Sequence, residues 1–202
     1  MEISFIRHGK SQLSENDKIT CFEFRKWVEK YDCHGVFKES IFPYETLVKA
    51  KTANIIITSE LNRSVESAML LNSKVKTISD SLFRETELPA RSMKIFNIKL
   101  KPNSWALILR LLWLCGYSNE CESLKSAKLR AENGSQQLID YAKKYGSVVL
   151  VGHGFLNTLI AIELRKKGWE GNRKAGAKLN CNPNNGHLKK VPHYSGFYVF
   201  IR

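Results

Sequence analysis

Five short apolar runs, Glu2–Ile6, Asn54–Thr58, Val75–Ile78, Ser147–Val151 and Phe197–Ile201, alternate with stretches whose apolar residues recur at helical spacing. Strands separated by helices join most simply as βαβ units with parallel neighbours. The expected fold class is therefore α/β, a three-layer α/β/α sandwich with a mostly parallel central sheet. Helices are expected over Phe22–Tyr31, over Leu61–Leu71, and across Phe155, Leu156, Leu159, Ile160 and Leu164.

From Glu85 to about Gly146 no run reads as a strand. This region holds Pro89, Pro102, an apolar tryptophan-containing stretch from Trp105 to Cys115, and a polar helical stretch from Leu124 to Tyr145 interrupted at Asn133-Gly134. It predicts a helical insertion over the active site, at about 85–146, within a single domain spanning 1–202. Gly168 to His193, rich in Gly, Asn and Lys with two prolines, predicts a loop leading to the last strand.

Composition narrows the setting. With 202 residues, 43% of them hydrophobic, the chain can bury a large core. The Trp105–Cys115 run is broken by Arg110 and is well short of the roughly 18 residues a membrane span needs. The first six residues carry no basic region before their apolar part and read as a strand, not a signal peptide. Five scattered cysteines without a Cys-x-x-Cys pair fit free thiols, and the expected location is the cytoplasm. A net charge of +13 favours anionic partners without choosing among phosphorylated metabolites, membranes and nucleic acid.

Three of the runs end alike. Ile3–Ile6 leads into Arg7-His8-Gly9, Ile55–Thr58 into Ser59-Glu60-Leu61-Asn62-Arg63-Ser64, and Val148–Val151 into Gly152-His153-Gly154. Ligands of open α/β sheets bind beyond the carboxyl ends of strands, so these segments are expected to converge on one cleft. Two arginines, two histidines and adjacent helix amino ends suit an anion with several oxygens, and the glycines allow the backbone to approach it. The expected ligand is a phosphoryl group.

Arg7-His8-Gly9, Ser59-x3-Arg63 with Ser67-Ala68, Arg84-Glu85 and Gly152-His153-Gly154, in that order, resemble the histidine phosphatase superfamily, whose fold is shared with cofactor-dependent phosphoglycerate mutases. The resemblance implies a nucleophile at His8, phosphate-pocket residues at Arg7, Arg63 and His153, and a proton donor at Glu85. It implies hydrolysis of a phosphomonoester through a covalent phosphohistidine, with Arg7, Arg63 and a protonated His153 neutralising the phosphoryl oxygens. On this reading no metal and no cofactor is needed. Gly9, Ser11 and Gly154 are expected to bind substrate. Glu87 competes with Glu85 for the acid role, and Glu60 is expected to border the helix near Leu61. Arg110, Trp113 and Gly116, with Glu122-Ser123 and Arg130, resemble residues of the insertion that shape the substrate entrance or brace the lid in some members; an Arg–Glu network that holds the insertion together is the alternative.

The chain also departs from that pattern. Lys10, Ser11, Gln12, Leu13 and Ser14 follow the first motif, Asn16 is displaced, and Thr86-Glu87-Leu88-Pro89 follows Glu85. Expected partners are a small phosphorylated substrate and, as an open question, a second copy in a homodimer; membrane is not expected and nucleic acid is disfavoured. Two alternatives stand beside the phosphatase reading. One is a mutase-like phosphotransferase; the other is a non-catalytic basic module that binds anions or nucleic acid.

Overall fold

The computed structural model describes residues 1–38, 42–90, 98–174 and 197–201. Its elements are β1 (Glu2–Arg7), α1 (Cys21–Cys33), α2 (Tyr44–Thr52), β2 (Ile55–Thr58), α3 (Asn62–Leu71) and β3 (Thr77–Ser79). After a short 3-10 turn (Ser81–Phe83) come α4 (Pro102–Leu114), α5 (Leu124–Tyr145), β4 (Ser147–Gly152), α6 (Gly154–Lys166), β5 (Glu170–Lys174) and β6 (Phe197–Ile201).

The strands form one sheet in the order β3-β2-β4-β1-β6-β5. The β3-β2, β2-β4 and β4-β1 pairs are parallel, and the β1-β6 and β6-β5 pairs are antiparallel. Alternation along the central strands sends side chains to both faces, and both are apolar. Ile3, Phe5, Ile55, Ile57, Val148 and Leu150 pack with residues of α5 and α6, whereas Ile6, Ile56, Val149 and Val151 pack with Ala50, Ala68 and Leu71 of α2 and α3. Each such side chain fully buried contributes about 1.5–3 kcal/mol. The expected α/β/α sandwich is present.

Of the 85–146 region, α4 packs against α1 through Trp105, Leu109, Cys21 and Phe24, and α5 lies against α6 and the sheet. Asn133-Gly134 does not interrupt α5. A Cβ at Gly134 would stand 3.4 Å from both Ile160 and Phe83, an ordinary contact, so the packing of α5 does not require glycine there. Glu170–Lys174 pairs with β6 and corrects the expectation of a loop there; residues 175–193 of that predicted loop lie outside the described residues. Among the described residues no helix is long and apolar enough to cross a membrane.

Candidate functional site

The sheet order explains the site. His8 follows β1 and His153 follows β4, and because these strands are parallel neighbours in register from Glu2↔Ser147 to Arg7↔Gly152, the two imidazoles meet. Their ring centroids are 5.2 Å apart. The β2 strand flanks β4 on its other side, which brings Ser59 to His153 with Oγ 2.7 Å from Nε2. The same Ser59 Oγ accepts the Leu61 amide at 3.3 Å, so its hydroxyl proton is free to donate to Nε2. When the hydroxyl donates in this way, the proton of the neutral His153 ring is on Nδ1.

His8 places Nδ1 2.8 Å from the Gly9 carbonyl oxygen. A carbonyl only accepts, so Nδ1 carries the proton and Nε2 keeps its lone pair. Burial, followed by the His153, Arg63 and Arg7 charges, holds His8 well below the usual 6.5. Burial and the Arg63 and Arg7 charges do the same to His153. Both rings are therefore neutral near pH 7, which corrects the expectation of a protonated His153.

Arg63, on the first turn of α3, is only 3% exposed. Its Nη1 donates to Asp32 Oδ1 at 2.8 Å and to the Tyr31 carbonyl at 3.3 Å, and its guanidinium lies over the Tyr31 ring at 4.5 Å. Arg7 is exposed and lies against Gly154, where a Cβ would stand 3.6 Å from its Nε. The Gly9 amide donates to Ser67 Oγ at 2.9 Å, and Ser67 Oγ donates back to the Arg63 carbonyl at 2.6 Å, tying the β1 loop to α3. Ser11 is buried and bridges to Val36. A cavity of about 330 Å³ opens over Arg7, His8, Gly9 and Ser11, walled by Asn16, Trp27, Tyr31 and Pro102. The displaced Asn16 thus reaches the wall of the cavity.

Glu85 sits at the amino end of α6. Its carboxylate accepts the Phe155 and Leu156 amides at 3.2 and 3.1 Å, and the Thr86 amide at 2.9 Å. A carboxylate on helix-terminal amides is favoured by the helix dipole. Arg110 donates to the Thr86 hydroxyl at 2.7 Å and to its carbonyl oxygen at 3.1 Å, and covers Phe155 and Trp113. Arg130 joins Glu122 to the Leu82 and Arg84 carbonyls, so these residues brace the wall behind Glu85. Glu87 accepts the Glu122 amide, and Glu60 pairs with Arg84 and does not cap α3.

Four of the five expected catalytic residues, Arg7, His8, Arg63 and His153, gather at the carboxyl ends of β1, β2 and β4, and Glu85 is held by the amides of the two residues that follow Gly154. Sequence reasoning missed Asp32 and Tyr31, which come from the last turn of α1, and Ser59 as the partner of His153. Among the described residues no group of three or more His, Cys, Asp or Glu is placed to hold a metal ion.

Fold and site together define an α/β protein with two histidines and two arginines gathered at its parallel strand ends. Solved structures of the same fold include a mycobacterial hydrolase, with TM-score 0.54 and 18% identity over 82% of this chain and 72% of that one. Mycobacterial glucosyl-3-phosphoglycerate phosphatase is similar too, with TM-score 0.52 and 18% identity over 82% of this chain and 79% of that one. Its complex with VO3 gives TM-score 0.51 at 18% identity, over 82% of this chain and 80% of that one. No protein-family model matches the chain, and no curated protein does.

These comparisons correct the sequence expectation. With no family model matched and identities of 18%, the likeness carries the fold alone. Membership of the histidine phosphatase superfamily, kinship with the mutases and a phosphohistidine route at His8 do not stand as identifications. What stands is a fold shared with a phosphatase. An aspartate nucleophile, another route to a covalent phosphoenzyme, finds no aspartate at the end of β1, where Arg7 and His8 lie. Asp32 is tied to Arg63 and Arg84, Asp80 accepts from Leu82 and Gln137, Asp140 pairs with Lys143, and Asp17 is exposed.

Proposed function

We propose that this chain is a phosphomonoester hydrolase acting on a small phosphorylated substrate in the cavity over Arg7, His8 and Gly9 at the end of β1, beside His153 and Arg63. One observation carries the reading. Arg63 Nε and His153 Nδ1 are buried and have no hydrogen-bond partner among the described residues. Leaving a buried donor unmatched costs about 1–3 kcal/mol, more when it is charged. Two such donors at converging strand ends, beside a second histidine and a second arginine, are suited to the oxygens of a phosphoryl group.

The residues divide the work accordingly. Arg7 and Arg63 supply two positive charges for a phosphate dianion and strengthen their hold as charge spreads over the equatorial oxygens in the transition state. Neutral His153 donates through Nδ1, and Ser59 keeps it in the tautomer that can do so. His8 holds an unprotonated Nε2 in the same pocket. Gly9 and Ser11 line the cavity, Gly154 lets Arg7 lie close, and Glu85, held as a carboxylate on the α6 amides, takes the proton of the attacking water and returns it to the leaving oxygen. Fold alone does not fix chemistry, so support comes from this site; the mycobacterial phosphatase of the same fold, whose structure was solved with VO3 and with inorganic phosphate, is consistent with it.

The test is release of phosphate from a generic aryl phosphate, assayed with chelator and again with magnesium. Turnover by the wild type is expected, with Arg63→Ala about a hundredfold lower in kcat/KM, the scale of removing one donor from a developing oxyanion. A wild type that neither turns over nor binds inorganic phosphate would refute the assignment.

A further inference from the structure

Asp32 lies in the last turn of α1, at the negative end of the helix dipole, where a carboxylate is disfavoured. It nevertheless bridges two guanidinium groups, receiving Arg63 Nη1 at 2.8 Å on Oδ1 and Arg84 Nη2 at 3.3 Å on Oδ2, with a side chain 26% exposed. Arg84 in turn holds Glu60 at 3.2 Å. A guanidinium has two usable edges, one containing Nε and one containing Nη1. In Arg63 the Nη1 edge is taken by Asp32 and by the Tyr31 carbonyl, the Tyr31 ring lies under its plane, and Nε is the buried group left without a partner.

We infer that Asp32 is the positioning residue of the anion pocket: by holding the Nη1 side of Arg63 it turns the Nε edge toward the phosphoryl oxygens. The inference rests on reading the cavity as a phosphate site. Two further contacts support positioning over competition for the anion. Asp32 Oδ2 is committed to Arg84, so the carboxylate is held on the side away from Nε. Tyr31, one residue earlier on the same helix, stacks on Trp27 with centroids 5.1 Å apart, and Trp27 stacks on Phe24 at 5.8 Å, which fixes the end of α1 against the cavity wall.

The sign of one measurement separates the two roles. If Asp32 were an internal counter-ion competing with the ligand, removing its charge would tighten anion binding, because the pocket becomes more positive. If it positions Arg63, removing it weakens binding despite the added positive charge. Calorimetric titration of inorganic phosphate into the full chain is expected to give Asp32→Ala a Kd about tenfold weaker than wild type, at the lower end for losing a hydrogen bond to a charged group. Asp32→Asn, which keeps an oxygen for Nη1, is expected to stay within about threefold of wild type on the weak side.

The Arg63 Nε–H proton resonance gives a second readout. Phosphate is expected to shift it in wild type and in Asp32→Asn. Tighter or unchanged binding by Asp32→Ala overturns the inference. Should that variant fail to fold, Asp32→Asn decides alone: tighter binding, or an Arg63 Nε–H that phosphate leaves unmoved, overturns it. A wild type that binds no phosphate overturns the reading of the cavity, an outcome distinct from these.

Discussion

Burying two imidazoles in neutral form makes the stability of this protein depend on pH in a direction and window that can be worked out. His8 and His153 are held well below 6.5 in the fold, mainly by burial and then by neighbouring positive charge. In the unfolded chain both return to about 6.5 and take up protons below it. The unfolded state then binds more protons than the native state, so stability is full above 6.5 and falls as pH drops toward the folded values. From about pH 7.5 to pH 5.5 each ring that stays neutral in the fold costs about 1.4 kcal/mol, hence about 2.7 kcal/mol for the pair.

Urea unfolding at the two pH values reads this directly, with the double variant His8→Asn, His153→Asn as reference. The wild type is expected to lose about 2.7 kcal/mol more than the double variant over that interval. Inorganic phosphate should reduce the difference, since a bound dianion stabilises protonated rings. Equal pH dependence in the two proteins, or a wild type that gains stability toward pH 5.5 relative to the variant, would show that the rings are not held neutral, and the division of charge in the pocket would fail with it.

Other substitutions probe the same construction. Ser59→Ala leaves His153 Nε2 buried without its partner and is expected to cost about 1–3 kcal/mol of stability, with weaker phosphate binding as the tautomer loosens; urea unfolding and calorimetry check each part. Gly152→Ala would place a Cβ 2.5 Å from Asn157 Oδ1 and is expected to destabilise by about 1–3 kcal/mol in urea unfolding, because buried Asn157 has little room to yield. Gly134→Ala is expected to stabilise by about 0.5–1 kcal/mol, since its Cβ would meet Ile160 and Phe83 at an ordinary 3.4 Å while the helix interior loses a glycine; a lower thermal midpoint than wild type would contradict that.

The strand-end residues were legible because their placement is local. A run such as Val148–Val151 declares a buried strand, and whatever follows it must emerge at the sheet edge, so Arg7, His8, Arg63 and His153 could be gathered from sequence order alone. Elements that depend on context were not legible. Glu170–Lys174 contains no strand-favouring side chain and is a strand because β6 offers it hydrogen bonds. The Tyr44–Thr52 helix is nine residues long with Thr46 and Ala50 as its buried residues, too faint an apolar stripe to announce itself. Asn133-Gly134 looked like a break because helix propensity was weighed without the packing of α5 against α6. Asp32 carried no signal at all, since its meaning comes from an arginine 31 positions later that only the fold brings within 2.8 Å.

The charge arrangement of the pocket follows from these same placements. A chain with net charge +13 could have met a phosphate with an excess of cations, and an excess would bind product as firmly as substrate. Burial instead removes both histidines from the charge count, and the Arg84 charge is met by Asp32 and Glu60. Arg7, Arg63 and Arg84 set against Asp32 and Glu60 then leave about one net positive charge for the proposed phosphate, with His153 adding a donor but no charge. Interactions balanced in this way against the ground state can still strengthen as the phosphoryl group flattens and its charge spreads, which is the difference that accelerates a reaction. Asp32 belongs to that balance as well as to the geometry, because the carboxylate that orients Arg63 also occupies Arg84.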